Sequence, residues 1–558
     1  MKKLLLSLLV WATLFPVEIM AVTRDITVPL SKEPFTNFLR QQVRGLTAAD
    51  TAIISFGAGE FFIDGNVDIL CNAEIRGAGR NKTKIVILNR KNYTDDCFFG
   101  FKPRLPQTTA VWIHDLTMEN APHRGLWWSE QQPRIAIKLY NCHSVTVERT
   151  DITLDNAYNN CIDMRVCSNI IVRDCVLKNF NNCHAGAVLS VRGDTRNALV
   201  ENNKIYKHGN DEAVTFFGYS NDPFKLDIEN DKFSFKENIR IVNNDFYAGY
   251  YEGKNPTDTV IDTYLTLILS NENKGKTPQT LKGFEVLNNN FYVNTPIHNL
   301  LAFTFDEYSS HSGVRVEDNK VVNYESAGSD DFWVSEIIIK DMSPNSDSIY
   351  IHNNTFKTEC EWETSWHDAG YTHISIDGGK VSYANNKLEA ASPSSSSIGR
   401  GYNGVTLVAF RKRGGNLTLT DNSFTGIYSL AQLSEHEQVS PSSLRAIGNS
   451  FTGDTRIYCG DVSRFDASFS DNVFKSRSAT YLLETWAKQG SLQFVRNKVS
   501  VARPAGPILT NWSGRDLYDM RFTNLEIYGN QFRNVDQSQL LQNIRLVDKQ
   551  YVTRNRFN

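Results

Sequence analysis

The sequence predicts an all-β fold, a right-handed parallel β-helix of about fourteen stacked coils with an N-terminal capping helix. Three observations predict it: one short template recurs along most of the chain, the distance between its copies varies, and an amphipathic segment precedes the first copy. The coils of a solenoid keep their strands and vary their loops, so irregular spacing favours this fold over propellers and leucine-rich repeats. A solenoid grows along one axis, so 558 residues need not divide into several domains.

The template is visible in "IRIVNNDFYA", "IYIHNNTFKT" and "LTLTDNSFTG". Apolar residues lie five and three positions before a central Asn and two positions after it. Alternation with period two indicates strands, and Asn tolerates the left-handed backbone of a sharp bend, so each copy is predicted to be strand, bend and strand. Stacked Asn side chains are expected to hydrogen-bond between coils. The central residues are Leu116, Thr150, Cys175, Asn203, Asn244, Asn289, Asn319, Asn354, Asn386, Asn422, Asn449, Asn472, Asn497 and Asn530.

An amphipathic segment near the start of the chain is predicted to cap the open end of the rod. In "EPFTNFLRQQVRGL", Phe35, Leu39 and Val43 recur with helical spacing. The last coil of a solenoid leaves a core without a neighbour, so a helix is expected to cover it. Residues 22–110 would form this cap and the first coils, in one continuous domain with the coils of residues 111–558.

The extreme N-terminus has the pattern of a secretion signal. Lys2 and Lys3 precede an apolar run, and Ala21 offers a small residue for cleavage, which predicts a signal peptide over residues 1–21. Residue 22 is Val rather than Cys, which argues against a lipid anchor. We therefore expect a secreted or periplasmic monomer without a membrane anchor. The balance of 59 basic and 62 acidic residues gives no broad attraction to nucleic acid.

Nine cysteines leave open whether the chain holds a disulfide. Cys161 and Cys183 lie about one coil apart, and Cys167 and Cys175 fall on adjacent strands. A bond between stacked turns and free thiols that fill the core both fit this spacing.

The capping helix, the opening segment "AEIRGAGRNKTKIVI", the repeated template and the secretion signal together resemble the pectate lyase-like superfamily of right-handed parallel β-helices. The resemblance spans nearly all of the chain after residue 21. It implies a polysaccharide or oligosaccharide partner, because members are mostly secreted polysaccharide lyases and glycoside hydrolases, with some phage tailspikes and adhesins. The fold does not choose among these activities, so the function must be argued from a site.

Ionisable residues concentrate between residues 159 and 218, in three consecutive coils. Their segments "NNCIDMRV", "NNCHAGAVLSVRG" and "HGNDEAVTFFG" predict aligned strands over residues 162–166, 187–191 and 213–217. Stacked strands lie ~4.8 Å apart, so these coils are expected to assemble one polar cluster. Its members would be Asp163, Arg165, His184, Arg192, His208, Asp211 and Glu212.

The segment "GNDEAVTF" resembles the "GDDCIAI" element of polygalacturonases, with Asp211 and Glu212 at the paired aspartates. In that family the pair shares the acid and water-activating roles. The chain lacks the Gly-His-Gly and Arg-Ile-Lys elements of the same family. A purely structural interpretation also fits, in which Asp211 caps a turn and Asp163 forms an ordinary ion pair with Arg165.

Further residues are expected to bind substrate. Trp127 and Trp128 offer flat faces on which a sugar ring can stack, although packing of a loop onto the rod also fits them. Successive template asparagines after Asn203 lie 41 and 45 residues apart, against a minimum of 23, so long loops are expected to wall a cleft there. Asp262 lies in one of these coils and would extend a subsite.

Three functions follow from these residues. A glycoside hydrolase would use Asp211 and Glu212 as acid and base, with Asp163 or His208 assisting, and would need no cofactor. A polysaccharide lyase acting on a uronate polymer would take its base from Arg165, Arg192 or His184, and Asp163 with Asp211 would hold calcium if it is required. A glycan-binding or adhesion protein would use the same groove without catalysis. The histidines lack the fixed spacing of a zinc site.

Overall fold

A computed structural model describes residues 21–88, 97–101, 109–120, 135–155, 160–180, 187–208, 212–217, 234–249, 261–269, 278–294, 297–323, 334–358, 371–390, 405–433, 440–459, 464–476, 483–485, 489–502, 508–511, 521–542, 544 and 546–558. The strands pair in parallel and form three stacked sheets that wind as a right-handed β-helix, as predicted. Each coil passes from sheet 1 to sheet 2 and then to sheet 3. The fold expected from the resemblance to the pectate lyase-like superfamily is therefore confirmed.

Sheet 1 contains the strands that precede the template residue. They are Thr23–Val28 (β1), Thr51–Phe56 (β2), Asn72–Arg76 (β5), the first half of Ala110–Asn120 (β8), the first half of Ser144–Asp155 (β10), Ser168–Arg173 (β12), Thr195–Glu201 (β15), Ser234–Val242 (β18), Gln279–Leu287 (β21), Ser309–Glu317 (β24), Ile349–His352 (β27), Lys380–Ala384 (β30), Gly415–Thr420 (β33), Ser442–Ile447 (β35), Phe465–Ser470 (β37), Gln489–Val495 (β40), Arg521–Tyr528 (β43), Leu546–Val547 (β46) and Gln550–Thr553 (β47).

Sheet 2 contains the strands that follow the template residue. They are Gly59–Ile63 (β3), Thr83–Ile87 (β6), the second halves of β8 and β10, Val176–Phe180 (β13), Lys204–His208 (β16), Asp245–Ala248 (β19), Asn290–Val293 (β22), Lys320–Asn323 (β25), Thr355–Thr358 (β28), Lys387–Ala390 (β31), the first parts of Ser423–Leu433 (β34) and Ser450–Cys459 (β36), Val473–Ser476 (β38), Lys498–Val501 (β41), Gln531–Arg533 (β44) and Arg556–Phe557 (β48).

Sheet 3 closes each coil. Its strands are Val67–Ile69 (β4), Cys97–Phe101 (β7), Ile135–Tyr140 (β9), Ile162–Arg165 (β11), Leu189–Arg192 (β14), Val214–Phe217 (β17), Ile261–Leu269 (β20), Ile297–Phe305 (β23), Val334–Asp341 (β26), Tyr371–Asp377 (β29), Val405–Phe410 (β32), the second parts of β34 and β36, Leu483–Thr485 (β39), Leu509–Asn511 (β42) and Leu541–Gln542 (β45).

Alternating side chains fill the interior with columns of apolar residues. In the coil of Asn244, the template positions are occupied by Ile239, Ile241 and Phe246, which are all buried. Aromatic members stack on the same position of the next coil, and the ring centroids of Phe246 and Phe291 are 4.7 Å apart. The predicted template therefore describes the core-facing residues correctly.

The predicted capping helix is also confirmed. Helix α1 spans Thr36–Val43 and buries Leu39 and Val43. Phe35, directly before the helix, packs edge-on against Phe56 of the first coils, with ring centroids 5.2 Å apart. Within the described part of the chain, no helix has the length and hydropathy to span a membrane. The predicted signal peptide lies in residues 1–21, of which the structure describes only Ala21.

A buried ladder of asparagine side chains marks the corner between sheets 1 and 2. The backbone N–H and the side-chain Nδ2 of Asn244 both donate to Oδ1 of Asn289, at 2.9 and 3.0 Å. The same Nδ2 donates to the carbonyl oxygen of Val200 at 2.9 Å. The corner interrupts sheet pairing, so these amides satisfy backbone groups that would otherwise be buried without a partner. The ladder runs from Asn203 to Asn555, one coil beyond the last predicted copy.

The left-handed residue of this corner is not the ladder asparagine, which corrects the prediction. Positive φ angles belong to the residue before it, such as Asn243 at 57°, Asn353 at 58° and Asp471 at 60°. The ladder side chain is buried and must reach the next coil, so the bend falls on its exposed neighbour. Short polar side chains tolerate that backbone conformation, which explains why Asn and Asp recur there.

Free thiols fill core positions, so the disulfide interpretation is wrong for Cys161. Its Sγ donates to the carbonyl oxygen of Lys178 at 3.4 Å, and burial raises the pKa of the thiol to about 12. Cys167 and Cys175 are also free and buried. Cys183 lies outside the described residues.

A lysine amine lies in the core where the chain enters sheet 1. Lys236 is fully buried, and its Nζ donates to the carbonyl oxygen of Gly193 at 2.8 Å. Burial lowers the pKa of this amine to about 7, and the Asp194 carboxylate offsets part of the shift. The amine is therefore poorly suited to carry its charge inside the fold.

We predict that Asn354→Ala lowers the free energy of unfolding by about 3 kcal/mol, because several buried hydrogen bonds of about 1 kcal/mol each are lost. Oδ1 of Asn354 accepts from the N–H and the Nδ2 of Asn319, and its own Nδ2 donates to the carbonyl oxygen of Val316. The control is Asn416→Ala, which removes an exposed amide that accepts from Ser443. Urea denaturation followed by circular dichroism compares them, and an equal loss in both variants would contradict the role of the ladder.

The buried amine predicts a pH-dependent stability. The unfolded chain holds the Lys236 proton up to about pH 10, whereas the folded chain releases it near pH 7, so stability rises with pH across this window. Lys236→Met removes this dependence, so the variant should gain most relative to the parent at about pH 7 and lose that advantage by about pH 10. Lys204→Met, at an exposed position of β16, should show the same difference from the parent at both pH values.

Candidate functional site

The outer face of sheet 3 carries a row of polar side chains, which we call the polar column. Ile162 and Met164 of β11 belong to the core, so strand alternation places Asp163 on the outer face. The parallel register continues this position from coil to coil. The polar column consists of Lys138, Asp163, Ser190, Thr215 and Thr266.

The polar column is buried although it faces away from the core. Its members are at most 2% exposed, and Asp163 is 0% exposed. Three of its polar atoms, Oδ1 of Asp163 and Oγ1 of Thr215 and Thr266, have no hydrogen-bond partner among the described residues. A buried polar atom without a partner costs about 1–3 kcal/mol, so such atoms are expected where a ligand or an ordered water completes the set.

Two arginines flank the Asp163 carboxylate. The Nε of Arg165 donates to Oδ2 of Asp163 at 2.9 Å, and the Nε of Arg192 lies 3.9 Å from Oδ1. Arg192 also donates to the Ser190 hydroxyl at 3.0 Å, and its guanidinium lies 5.2 Å from the centre of the Phe217 ring. The Arg165 side chain is 11% exposed and that of Arg192 is 25% exposed, so Arg192 is the more accessible cation.

The strand register of this face differs from the predicted alignment. Ile162 pairs with Leu189 and then Val214, not with residues 187 and 213. The ends of the strands set the register, because left-handed Val166 and Gly193 follow β11 and β14 and bond to the next coil. Asp163, Arg165 and Arg192 still come together as predicted.

His208 and Glu212 are the described residues on either side of the passage from sheet 2 to sheet 3. His208 ends β16 and is buried, and Glu212 lies just before β17. Relative to Asp163, Glu212 lies two coils along the rod and three residues towards the start of the strands, roughly 10 Å in each direction. The carboxylates of Asp163 and Glu212 therefore lie in different parts of this face.

Several predicted residues cannot be placed against this geometry. Asp211, His184, Trp127 and Trp128 lie outside the described residues. Asp262 belongs to β20, but its side chain is not described.

Sequence reasoning missed two features, which are the buried lysine of the polar column and a hydrogen-bonded His–Glu–Tyr group in the core. Lys138 sits in the apolar run "IAIKLY" and gave no signal of its own. In the core, Nδ1 of His373 lies 2.7 Å from Oε2 of Glu336, and its Nε2 lies 2.8 Å from the hydroxyl of Tyr383. Glu336 and His373 are on neighbouring strands of sheet 3, whereas Tyr383 comes from sheet 1, so only the folded coil unites them.

The described residues fit calcium poorly at Asp163. One of its oxygens accepts from Arg165, and the other faces Arg192, so a cation bound there would meet two guanidinium charges. Among the described side chains, no group of three or more His, Cys, Asp or Glu residues is arranged to hold a metal ion.

Comparison with known proteins gives only distant likenesses. No protein-family model and no curated protein sequence matches the chain. The chain is similar to the catalytic domain of a GH87 alpha-1,3-glucanase, with 11% identity over 91% of this chain and 69% of that one, and a TM-score of 0.35. It is similar to the A-module of the mannuronan C-5 epimerase AlgE6 from Azotobacter vinelandii, with 10% identity over 90% of this chain and 96% of that one, and a TM-score of 0.25. The chain is also similar to a mannuronic acid specific family 6 polysaccharide lyase from human gut microbiota. The identity is 10% over 85% of this chain and 87% of that one, and the TM-score is 0.25. The assignment of the fold rests on the strand pairing and not on these scores.

We predict that Asp163→Asn lowers the free energy of unfolding by about 3 kcal/mol, because it removes the negative charge between two largely buried guanidinium groups. The control is Asp466→Asn. Asp466 accepts from Arg464 at 2.8 Å with the same spacing of two residues, but this pair is exposed and should contribute at most about 1 kcal/mol. Urea denaturation of both variants provides the comparison, and equal losses would show that Asp163 has no special environment.

Proposed function

We propose that the chain is an enzyme that acts on an acidic polysaccharide, which it binds along the outer face of sheet 3. The observation that carries this proposal is the buried Asp163 carboxylate held between Arg165 and Arg192. The strands β9, β11 and β14 carry three cationic side chains, including Lys138, and one carboxylate. Arg192, which is more exposed than Arg165, offers its guanidinium to a ligand with carboxylate groups of its own.

The arrangement of these groups suits a sugar polymer. Coils repeat every ~4.8 Å, so the hydroxyls of Ser190, Thr215 and Thr266 form a regular row. Ser190, Thr215 and Thr266 are at most 2% exposed, so the polymer would contact this face first through Arg192, which donates to the Ser190 hydroxyl. The planar fork of Arg192 can bind a uronate carboxylate through two parallel hydrogen bonds.

Hydrolysis is the first reaction that we propose for this face. Asp211 and Glu212 would act as acid and base on the scissile bond, and His208, the last residue of β16, would assist them. Asp163 would then act as a positioning residue, because it orients Arg165 and Arg192 while lying too far along the strands from Glu212 to serve as its direct partner. This reaction requires no cofactor.

Elimination is the second candidate reaction, and the arginine pair favours it. A lyase must neutralise the uronate carboxylate before a base removes the neighbouring proton, and two guanidinium groups can supply that charge. Arg165 and Arg192 would take this role without calcium, which the surroundings of Asp163 disfavour. His184 would then be the base that takes the proton, and the glycosidic oxygen would leave as the new double bond forms.

We expect Arg192→Gln to lower kcat/KM on an acidic polysaccharide by at least about tenfold, because the most accessible cation of the site is removed. Purified chain is incubated with polygalacturonate, alginate, glucuronan and neutral glucans, and both new reducing ends and the ultraviolet absorbance of a new double bond are recorded. Reducing ends without absorbance indicate hydrolysis, and both together indicate elimination. Arg464→Gln, in the exposed Arg–Asp pair, should leave activity unchanged.

Two results would overturn the proposal. If Arg192→Gln keeps full activity on the polymer that is cleaved, the proposed site is wrong. If only neutral glucans are cleaved, the proposed substrate class is wrong. If acidic polymers bind but none is cleaved, the chain is a glycan-binding protein that uses the same face.

A further inference from the structure

The outer face of sheet 1, away from the proposed active site, carries a second groove. Its floor is one position of the parallel register, and the groove has a volume of about 760 Å³. Within the groove this position is occupied in order by Ile171, Leu199, Arg240 and Glu285. Beyond the groove lining, the same register position continues towards the N-terminus through Thr146 to Trp112. The N-terminal half of the groove is therefore largely apolar, and the groove ends in an ion pair between Arg240 and Glu285 at 2.9 Å.

A second asparagine ladder forms one wall of this groove. Asn169, Asn197 and Asn238 stack two residues before the floor position in successive coils, with φ angles of 49°, 55° and 52°. The Nδ2 of Asn197 donates to Oδ1 of Asn169 at 2.9 Å, and that of Asn238 donates to Oδ1 of Asn197 at 3.1 Å. Unlike the buried ladder, this one lies on the surface, and we call it the amide rail.

The backbone does not require the amides of this rail. In the next coil the same position is Gly283, with a φ of 80°, and the following coil has Gly313, with a φ of 66°. Glycine therefore satisfies the bend, and asparagine, which also tolerates this backbone, adds side-chain amides that the bend itself does not require. Within the rail only Asn197 both donates and accepts, whereas Asn238 only donates and Asn169 accepts from Asn197 and donates to the carbonyl oxygen of His143 at 3.1 Å. An amide has two N–H donors and an oxygen with two lone pairs, so Asn197 and Asn238 keep a further donor and acceptor position.

Two coils before Ile171, the same register position carries an exposed aromatic ring. Trp112 is 41% exposed, and its indole N–H donates to Glu148 at 3.1 Å. It stacks on His114 with ring centroids 4.1 Å apart, which fixes its orientation. An oriented, exposed aromatic ring can serve as a platform for the apolar face of a sugar.

We infer that this groove is a second glycan site, which binds a neutral sugar chain lying along the rod. Sugar rings would rest on Trp112, Ile171 and Leu199, while their hydroxyls would exchange hydrogen bonds with the amide rail. A neutral chain is favoured because the rail consists of uncharged amides and because Arg240 is already paired with Glu285. The distance from Trp112 to Leu199 covers three coil steps, or about 14 Å, which accommodates a short oligosaccharide.

This site is independent of the proposed active site. The groove uses residues of sheet 1, whereas Asp163, Arg165 and Arg192 belong to sheet 3. A rigid rod that holds a neutral segment on one face would raise the effective concentration of acidic segments of the same polymer near the other face. Binding at the groove is expected even if the chain cleaves nothing.

The test is isothermal titration calorimetry of the full chain with cellohexaose, xylohexaose and hexagalacturonate. We expect a neutral hexasaccharide to bind and its affinity to fall at least about tenfold in Trp112→Ala and in Asn197→Gly. Asn197→Gly keeps the backbone conformation, because Gly283 occupies the equivalent position in the same rail. Circular dichroism and thermal melting confirm that each variant is folded.

Two control variants show whether the neutral chain binds at this groove. Tyr551 lies at the far end of the same outer position of sheet 1 and is 50% exposed, so Tyr551→Ala should bind normally. Arg192→Gln should also bind the neutral chain normally, which distinguishes this inference from the proposed activity. The inference is overturned if neither neutral hexasaccharide binds, if Trp112→Ala and Asn197→Gly both bind normally, or if the groove prefers the uronate chain. Self-association of the parent that Trp112→Ala abolishes would also overturn it, because the groove would then be a protein interface.

Discussion

The hydrogen bonding of the corner between sheets 1 and 2 is the constraint on which the rest of the structure depends. A parallel β-helix must turn its backbone sharply in every coil, and each turn removes backbone groups from the sheets and buries them. The ladder from Asn203 to Asn555 satisfies these groups with one side chain per coil. Because each amide bonds to the next, the corner has nearly the same geometry in successive coils, and variation in loop length is left to the other two corners.

A fixed corner also determines where chemistry can lie. When coils stack with one register, an outward position in one strand becomes a continuous row along the rod. The polar column of sheet 3 and the floor of the sheet 1 groove are two such rows, and they differ in character. Asp163 and its neighbours are buried and charged, whereas Trp112, Ile171 and Leu199 are apolar and partly exposed. One architecture thus offers a charged face and a neutral face to a long polymer.

The sequence predicted those features that repeat and missed those that depend on contacts between coils. The template residues, the capping helix and the buried Asn ladder could all be predicted, because each has a local pattern. The left-handed corner residue was assigned one position too late, since the pattern "NN" does not show which Asn points inward. The register of β11, β14 and β17 was misjudged because it is set by Val166 and Gly193 at the strand ends.

There is a physical reason why contacts between coils could not be predicted. Lys236 donates to Gly193 across 43 residues, and His373 meets Glu336 across 37, through loops whose lengths differ from coil to coil. The burial of Asp163 is equally non-local, since an outward residue of a strand is ordinarily exposed. The clustering of Asp163, Arg165 and Arg192 could therefore be predicted, but their ion pairs and the partnerless oxygens emerge only from the folded coil.

The two asparagine ladders show how structural and functional signals can be separated in a repeat protein. In the buried ladder, every described coil from Asn203 onwards keeps the amide, because its loss would leave backbone groups unsatisfied in the core. In the exposed rail, glycine replaces asparagine after Asn238, and the strands continue to pair. The rail amides are therefore side chains that the bend can omit, and these exposed groups are the feature on which the inferred glycan site depends.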